Sequence, residues 1–137
     1  MSTQTINTTT IWPTLSYANA RGAIAFLVDA FGFIETAVYG EGERVDHAQL
    51  DWPGGGGVML GSQRPDSAVG DLPTGVGSVY IVVPDPDALY LRAVDGGATI
   101  VKGLTDEDYG SRGFTCRDPE GVYWSFGTYA GEPPRTQ

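Results

Sequence analysis

The sequence is poor in the residues that most catalytic chemistry needs. Its 137 residues include one cysteine, Cys116, and one histidine, His47. A single cysteine excludes an intrachain disulfide and any zinc site built on cysteines. No histidine, second cysteine or basic cluster adjoins Cys116 in the sequence, so it reads as a buried structural thiol rather than a nucleophile. A single histidine excludes an iron site of two histidines and a carboxylate within one chain. Positive charge is also scarce: 8 Lys and Arg stand against 17 Asp and Glu, for a net charge of −9. Nucleic-acid binding rests on cations that neutralise phosphates, so this balance argues against a nucleic-acid partner. The same surplus of acids favours solubility and attracts cationic ligands at long range. No apolar run approaches the roughly 20 residues needed to cross a bilayer, so no membrane partner is expected. The opening "MSTQTINTTT" has neither a basic start nor an apolar stretch, so it does not read as a secretory signal, and a cytoplasmic protein is expected.

What is present is an ordinary globular composition, 41% hydrophobic and 18% charged, in a length that suits one compact domain. The hydrophobic period changes along the chain, with glycines at the breaks. "IWPTLSY" (Ile11–Tyr17) reads as a strand. Asn19 suits a helix N-cap, and Ala23, Ile24, Leu27, Val28 and Phe31 then recur at helical spacing until Gly32 stops the helix. "FIETAVYG", "RVDHAQLDW" and "GGVMLGS" read as three strands. A polar loop follows, and the pattern begins again. "GSVYIVV" is a strand, and Asp85 caps a helix that has Pro86 at its first position. Gly96 and Gly97 end that helix, and "ATIVKGL", "RGFTCRD" and "GVYWSFGTY" give three more strands.

The expected fold is therefore α+β, with two βαβββ modules (residues 11–62 and 77–129) joined by a loop at 63–76. The modules would curve a mixed sheet around a crevice with the helices outside. Residues 1–10 would form a flexible arm. The tail at 130–137 holds two prolines, which lack the donors to extend a sheet.

Strand alternation sorts side chains between the helix face and the crevice face. In the last strand Val122, Trp124 and Phe126 belong to the core, which leaves Tyr123 and Ser125 facing the crevice. In "VDHAQLD", Ala48 and Leu50 suit the core, and Val45, His47, Gln49 and Asp51 lie opposite. The same argument sends Trp12, Thr14 and Ser16 of the first strand, Met59 of the fourth, and Ser78 and Tyr80 of the fifth into the crevice. Such a lining is aromatic and polar but almost uncharged, which suits a planar or hydrophobic ligand. His47 reads either as a base or ligand-orienting group or as a structural strand residue. Trp12 reads either as a stacking platform or as a plug. Trp124 reads as core and Trp52 as turn packing. Arg112 and Arg117 fall at the crevice rim, where pairing with surface acids is the simpler role. "DWPGGGGVML" is not a phosphate loop, because a strand rather than a helix N-terminus follows it.

The order of elements, "YANARGAIAFLVDAFGF", "VDHAQLDW" and "YGSRGFTCRDPEGVYWSFGTY" together resemble the vicinal oxygen chelate superfamily, in particular its glyoxalase and bleomycin-resistance group. The resemblance implies a homodimer of small chains. It also implies a divalent metal in many members, held by His, Glu or Gln from four strands. Carried onto this chain, those four positions fall at Trp12, Gln49, Ser78 and Ser125. Indole nitrogen has no lone pair to donate and a neutral serine is a poor ligand, so no metal, cofactor or catalytic residue is expected. The expected function is metal-independent capture of a small aromatic or hydrophobic molecule, of the drug- or antibiotic-resistance type. The alternative is a lyase, isomerase or dioxygenase that uses a divalent metal in the same crevice. A third reading is a scaffold whose crevice serves dimerisation. The residues leave open whether the modules close the crevice within one chain or between two.

Overall fold

The computed structural model describes residues 6–135. Both modules are present, each as a four-stranded mixed sheet. The first contains β1 (Thr14–Tyr17), β2 (Ile34–Glu41), β3 (Arg44–Asp51) and β4 (Gly57–Ser62), ordered β1-β4-β3-β2. The second contains β5 (Ser78–Val82), β6 (Thr99–Asp106), β7 (Arg112–Arg117) and β8 (Tyr123–Gly127), ordered β5-β8-β7-β6. In each, the first strand pairs parallel to the last and the other neighbours run antiparallel. The N-terminal arm and C-terminal tail lie partly outside the described residues; 6–13 and 130–135 carry no helix or strand. Among the described residues no helix is long and apolar enough to cross a membrane.

Helix α1 (Ala20–Phe26) begins where the Asn19 side chain accepts the Gly22 amide at 3.0 Å. Its last turn widens into a π-helical segment, Leu27–Phe31, and Gly32 ends it at φ 92°, a conformation glycine adopts without strain. Helix α2 (Pro86–Asp95) starts at Asp85, whose carboxylate accepts the Ala88 amide at 3.1 Å. Both helices lie on the core side of the sheets. Ala23, Ile24, Leu27 and Phe31 join Leu50, Val58 and Leu60 of the first sheet and Phe114, Trp124 and Phe126 of the second in one buried cluster. Phe31 bridges the modules, with its ring centroid 5.6 Å from Trp124 and 4.9 Å from Phe126. Trp52 does more than pack its own turn, since its ring also reaches Phe33 (4.9 Å) and Phe126 (6.1 Å). Cys116 is fully buried, and burial, with Asp118 adding to it, pushes its thiol up to about 12.

The two hairpins that lead into the final strands share one backbone pattern, present in the second as Asp118 N–H to the Val122 carbonyl and Gly121 N–H to the Asp118 carbonyl at 3.0 Å each, and differ in the side-chain bonds added to it. In the first, "WPGGG" turns with backbone bonds alone, Trp52 N–H to the Gly56 carbonyl at 2.8 Å and Gly55 N–H to the Trp52 carbonyl at 2.9 Å. In the second, the buried Asp118 carboxylate accepts the amides of Glu120, Gly121 and Val122 on one oxygen. Its other oxygen accepts the Tyr17 hydroxyl at 2.7 Å and the Trp124 indole N–H at 3.1 Å. The next acid, Glu120, accepts the Ala18 and Asn19 amides at 2.7 and 2.8 Å, at the start of α1. This turn therefore ties the second module to the first.

Candidate functional site

Because the helix-facing side chains of both sheets meet in one core, each sheet turns its other face away from it. These two open faces carry most of the residues that alternation assigned to a crevice. On the first, Thr14 of β1 lies level with Met59 of β4, and Met59 with Gln49 of β3. Trp12 precedes β1, and its ring lies 3.0 Å from where a side chain at Gly57 would begin, on the Met59 face. On the second, Tyr80 lies level with Ser125, and Ser78 with Tyr123. Tyr80 lies over Gly127, where an added Cβ would come within 2.8 Å of its hydroxyl. That hydroxyl donates to the Tyr129 carbonyl at 2.7 Å. Burial, opposed by weaker hydrogen bonding, raises its pKa, so it remains a donor. Each module thus lays one aromatic ring across a glycine on its open face.

One expected crevice residue is not there. Val45 is fully buried beside Ala48 and Leu50. Tyr39 pairs with His47 while the next residue, Gly40, pairs with Val45, so Asp46 is an extra residue in β3. A bulge of this kind shifts the alternation by one, turning Val45 inward and leaving Asp46 exposed.

The ten expected residues do not line a single space within the chain. A cavity of about 280 Å³ lies on the first open face and includes Thr14, Ser16, His47 and Met59. Its other wall is the linker, through Val69, Leu72, Pro73 and Val76. A second cavity, of about 400 Å³, runs between the glycine turn and the β5 edge and includes Tyr80. Neither includes Gln49, Ser78, Tyr123 or Ser125. Gln49 is held by its own neighbours: its amide donates to Asp51 at 3.0 Å, and Asp51 also accepts the Thr36 hydroxyl. Ser125 and Thr115 share a hydrogen bond at 2.8 Å. His47 stacks on Tyr39 with ring centroids 6.3 Å apart. Of the rim arginines, Arg112 pairs with Asp87 (2.8 Å) and Asp106 (3.2 Å). Arg117 instead lies over the Tyr123 ring at 4.9 Å and donates to the Gly121 carbonyl.

Two contributors escaped the sequence reading. Thr115 sits between the buried Phe114 and Cys116, so alternation applied to "RGFTCRD" places it on the open face. The linker's apolar residues stand out only as valines and a leucine in an otherwise polar loop.

The four positions implied for a metal do not fit one. Gln49 is on β3, separated from β1 by β4, and the side chain level with Thr14 is Met59. Ser78 lies level with Tyr123 rather than Ser125. Among the described residues no three His, Cys, Asp or Glu side chains gather where they could hold an ion.

Residues 6–126 match the family described as the Glyoxalase/Bleomycin resistance protein/Dioxygenase superfamily. The uncharacterized protein Rv0887c of Mycobacterium tuberculosis is 36% identical over 122 residues, covering 84% of this chain and 71% of its own. The crystal structure of TioX from Micromonospora sp. ML1 is similar with a TM-score of 0.76 and 31% identity, over 87% of this chain and 97% of TioX. A superfamily member from Sphaerobacter thermophilus shares the fold at a TM-score of 0.67 and 16% identity, over 87% of this chain and 97% of its own.

Proposed function

The chain belongs to the Glyoxalase/Bleomycin resistance protein/Dioxygenase superfamily, and from that premise we propose that it captures a small, largely aromatic or hydrophobic molecule without a metal, as drug-sequestering resistance proteins do. The crevice forms when the first open face of one chain meets the second open face of another copy, so the working unit is a homodimer. The observation that carries this reading is the pair of outward faces. Each is a half-site, with Tyr80 49% exposed and Tyr123 40% exposed on one and a shallow cavity on the other. A second copy or a ligand laid over these rings would take their exposed apolar surface out of water.

The chemistry of the faces favours binding over catalysis. A second copy brings the same side chains, so the assembled crevice holds Trp12, Met59, Tyr80 and Tyr123 among Thr14, Ser16, Ser78 and Ser125. Such a lining stacks on a planar molecule and orients it by a few hydrogen bonds. It offers a divalent ion only neutral hydroxyl oxygens and the single amide oxygen of Gln49, a weak donor set for such an ion.

Two measurements test the reading. Sedimentation should give a dimer, and calorimetric titration with Ni²⁺ or Zn²⁺ should give no stoichiometric heat. A monomer at all concentrations would remove the two-chain crevice. Stoichiometric metal binding at micromolar affinity would favour a metal-dependent lyase, isomerase or dioxygenase instead.

A further inference from the structure

The linker that joins the modules is more than a connection. It leaves β4 at Gln63, crosses the first open face, and returns to β1, where the Gly75 amide donates to the Ser16 carbonyl at 2.9 Å. Between these ends it is folded on itself. Ser67, Gly70 and Leu72 amides donate to the carbonyls of Arg64, Ser67 and Val69 at 2.9–3.1 Å. The Gln63 side chain donates to the Leu72 carbonyl at 3.3 Å. The middle of the linker thus keeps its shape through its own turns. Three of its side chains, Val69, Leu72 and Val76, remain 56–64% exposed although they line the cavity. Apolar side chains held over a cavity and still half in water gain from a ligand that covers them.

The charges around this cavity are balanced. Asp46 at its rim pairs with Arg44 at 2.8 Å, and Arg64 lies 3.8 Å from Asp66. The Ser62 hydroxyl already accepts the Val45 amide. Among the described residues, Thr14, Ser16 and His47 line the cavity with no side-chain hydrogen bond. The local chemistry therefore differs from the net charge of −9 for the whole chain. The long-range field attracts cations, but the cavity holds no unpaired carboxylate to receive one.

We infer that the linker is one wall of a binding site for a neutral, mostly apolar small molecule with one hydrogen-bonding edge, and that Leu72 and Val76 determine its specificity. The edge meets Thr14, Ser16 or His47, and the apolar body lies between Met59 and the linker. This inference rests on the capture reading for its biological role, although the cavity itself lies within one chain.

The test uses two dyes with the same aromatic body, neutral N-phenyl-1-naphthylamine and its sulfonated relative 8-anilinonaphthalene-1-sulfonate. Fluorescence titration of the full chain should show the neutral dye bound about tenfold tighter, since the sulfonate must be desolvated with no free cation to meet it. The L72S/V76S variant should weaken the neutral dye about tenfold or more, as loss of apolar contact in a pocket does. Its thermal melt should stay close to that of the natural chain, because both side chains are exposed. Deuterium exchange should slow across residues 66–76 when the neutral dye binds. Equal affinity of the natural chain and L72S/V76S with unchanged linker exchange would overturn the inference, as would the absence of neutral-dye binding or equal affinity for the sulfonate. The outcomes separate the two proposals. A chain monomeric at all concentrations with linker-dependent binding would remove the two-chain crevice and keep this site. A dimer whose dye affinity ignores the linker would do the reverse.

Discussion

In the first module the linker walls one side of a cavity of about 280 Å³ on the open sheet face; the second open face has no such wall and leaves Tyr80 and Tyr123 exposed. The hairpins differ in the same spirit. The same two backbone bonds close both, but only in the second does a side chain add to them, as Asp118 gathers three amides, a hydroxyl and an indole. A duplicated order of elements thus supplies two equal sheets, and the unrepeated parts divide the work. The first module carries the cavity that the linker walls. The second carries the buried carboxylate that secures the pair and an outward face on which Tyr80 and Tyr123 are exposed.

The largest expected effect lies at that carboxylate. Asp118→Ala should lower the unfolding free energy in urea by about 3–5 kcal/mol, because buried donors on two modules lose their acceptor together. Asp118→Asn keeps one acceptor oxygen and should lose less. Gly55→Ala in the other hairpin should cost only about 1–3 kcal/mol, through strain at φ 119°. Equal losses would erase the contrast between the turns.

Alkaline pH should act next. Tyr17 is raised by burial first and by Asp118 second, and Cys116 is raised from 9.0 to about 12. Both folded values exceed the unfolded ones, so their contribution is complete below about 9. It should be lost as pH climbs toward the folded values, at roughly 1 kcal/mol per pH unit for the thiol. Chemical denaturation from pH 8 to 11 measures the slope, and Cys116→Ala should flatten it. A slope unchanged in that variant would remove the thiol from the account.

Smaller again is Glu120→Ala, which strips two amides at the start of α1 of their acceptor and should cost about 1 kcal/mol. Least of all for stability is Tyr80→Ala, expected within about 0.5 kcal/mol because the ring is half exposed. The same change should weaken N-phenyl-1-naphthylamine several-fold, since an aromatic contact is worth about 0.5–1.5 kcal/mol. Unchanged affinity would leave the second face without a part in binding.

Much of this was legible before the structure. Caps at Asn19 and Asp85, the stop at Gly32 and the alternation around Trp124 are local signals, and each specifies its element directly. Strand alternation puts Val45 on the wrong face because a bulge at Asp46 changes the phase of β3, and the glycine that marks it, Gly40, stands on the neighbouring strand β2 rather than in β3 itself. The linker escaped because its apolar residues follow no period, and a loop's contact with a sheet face is a tertiary fact. The role of Asp118 was invisible for the same reason, since its partner Tyr17 lies 101 residues earlier.

The most direct test mixes two weakened chains, T14A/M59A, broken on the first face, and Y80A/Y123A, broken on the second. If crevices join the first face of one chain to the second face of its partner, each mixed dimer has one crevice fully broken and one fully intact. After subunit exchange, titration with N-phenyl-1-naphthylamine should then recover tight sites to about a quarter of the natural number. If each chain closes its own crevice, no tight sites would return on mixing, and that result would contradict the account.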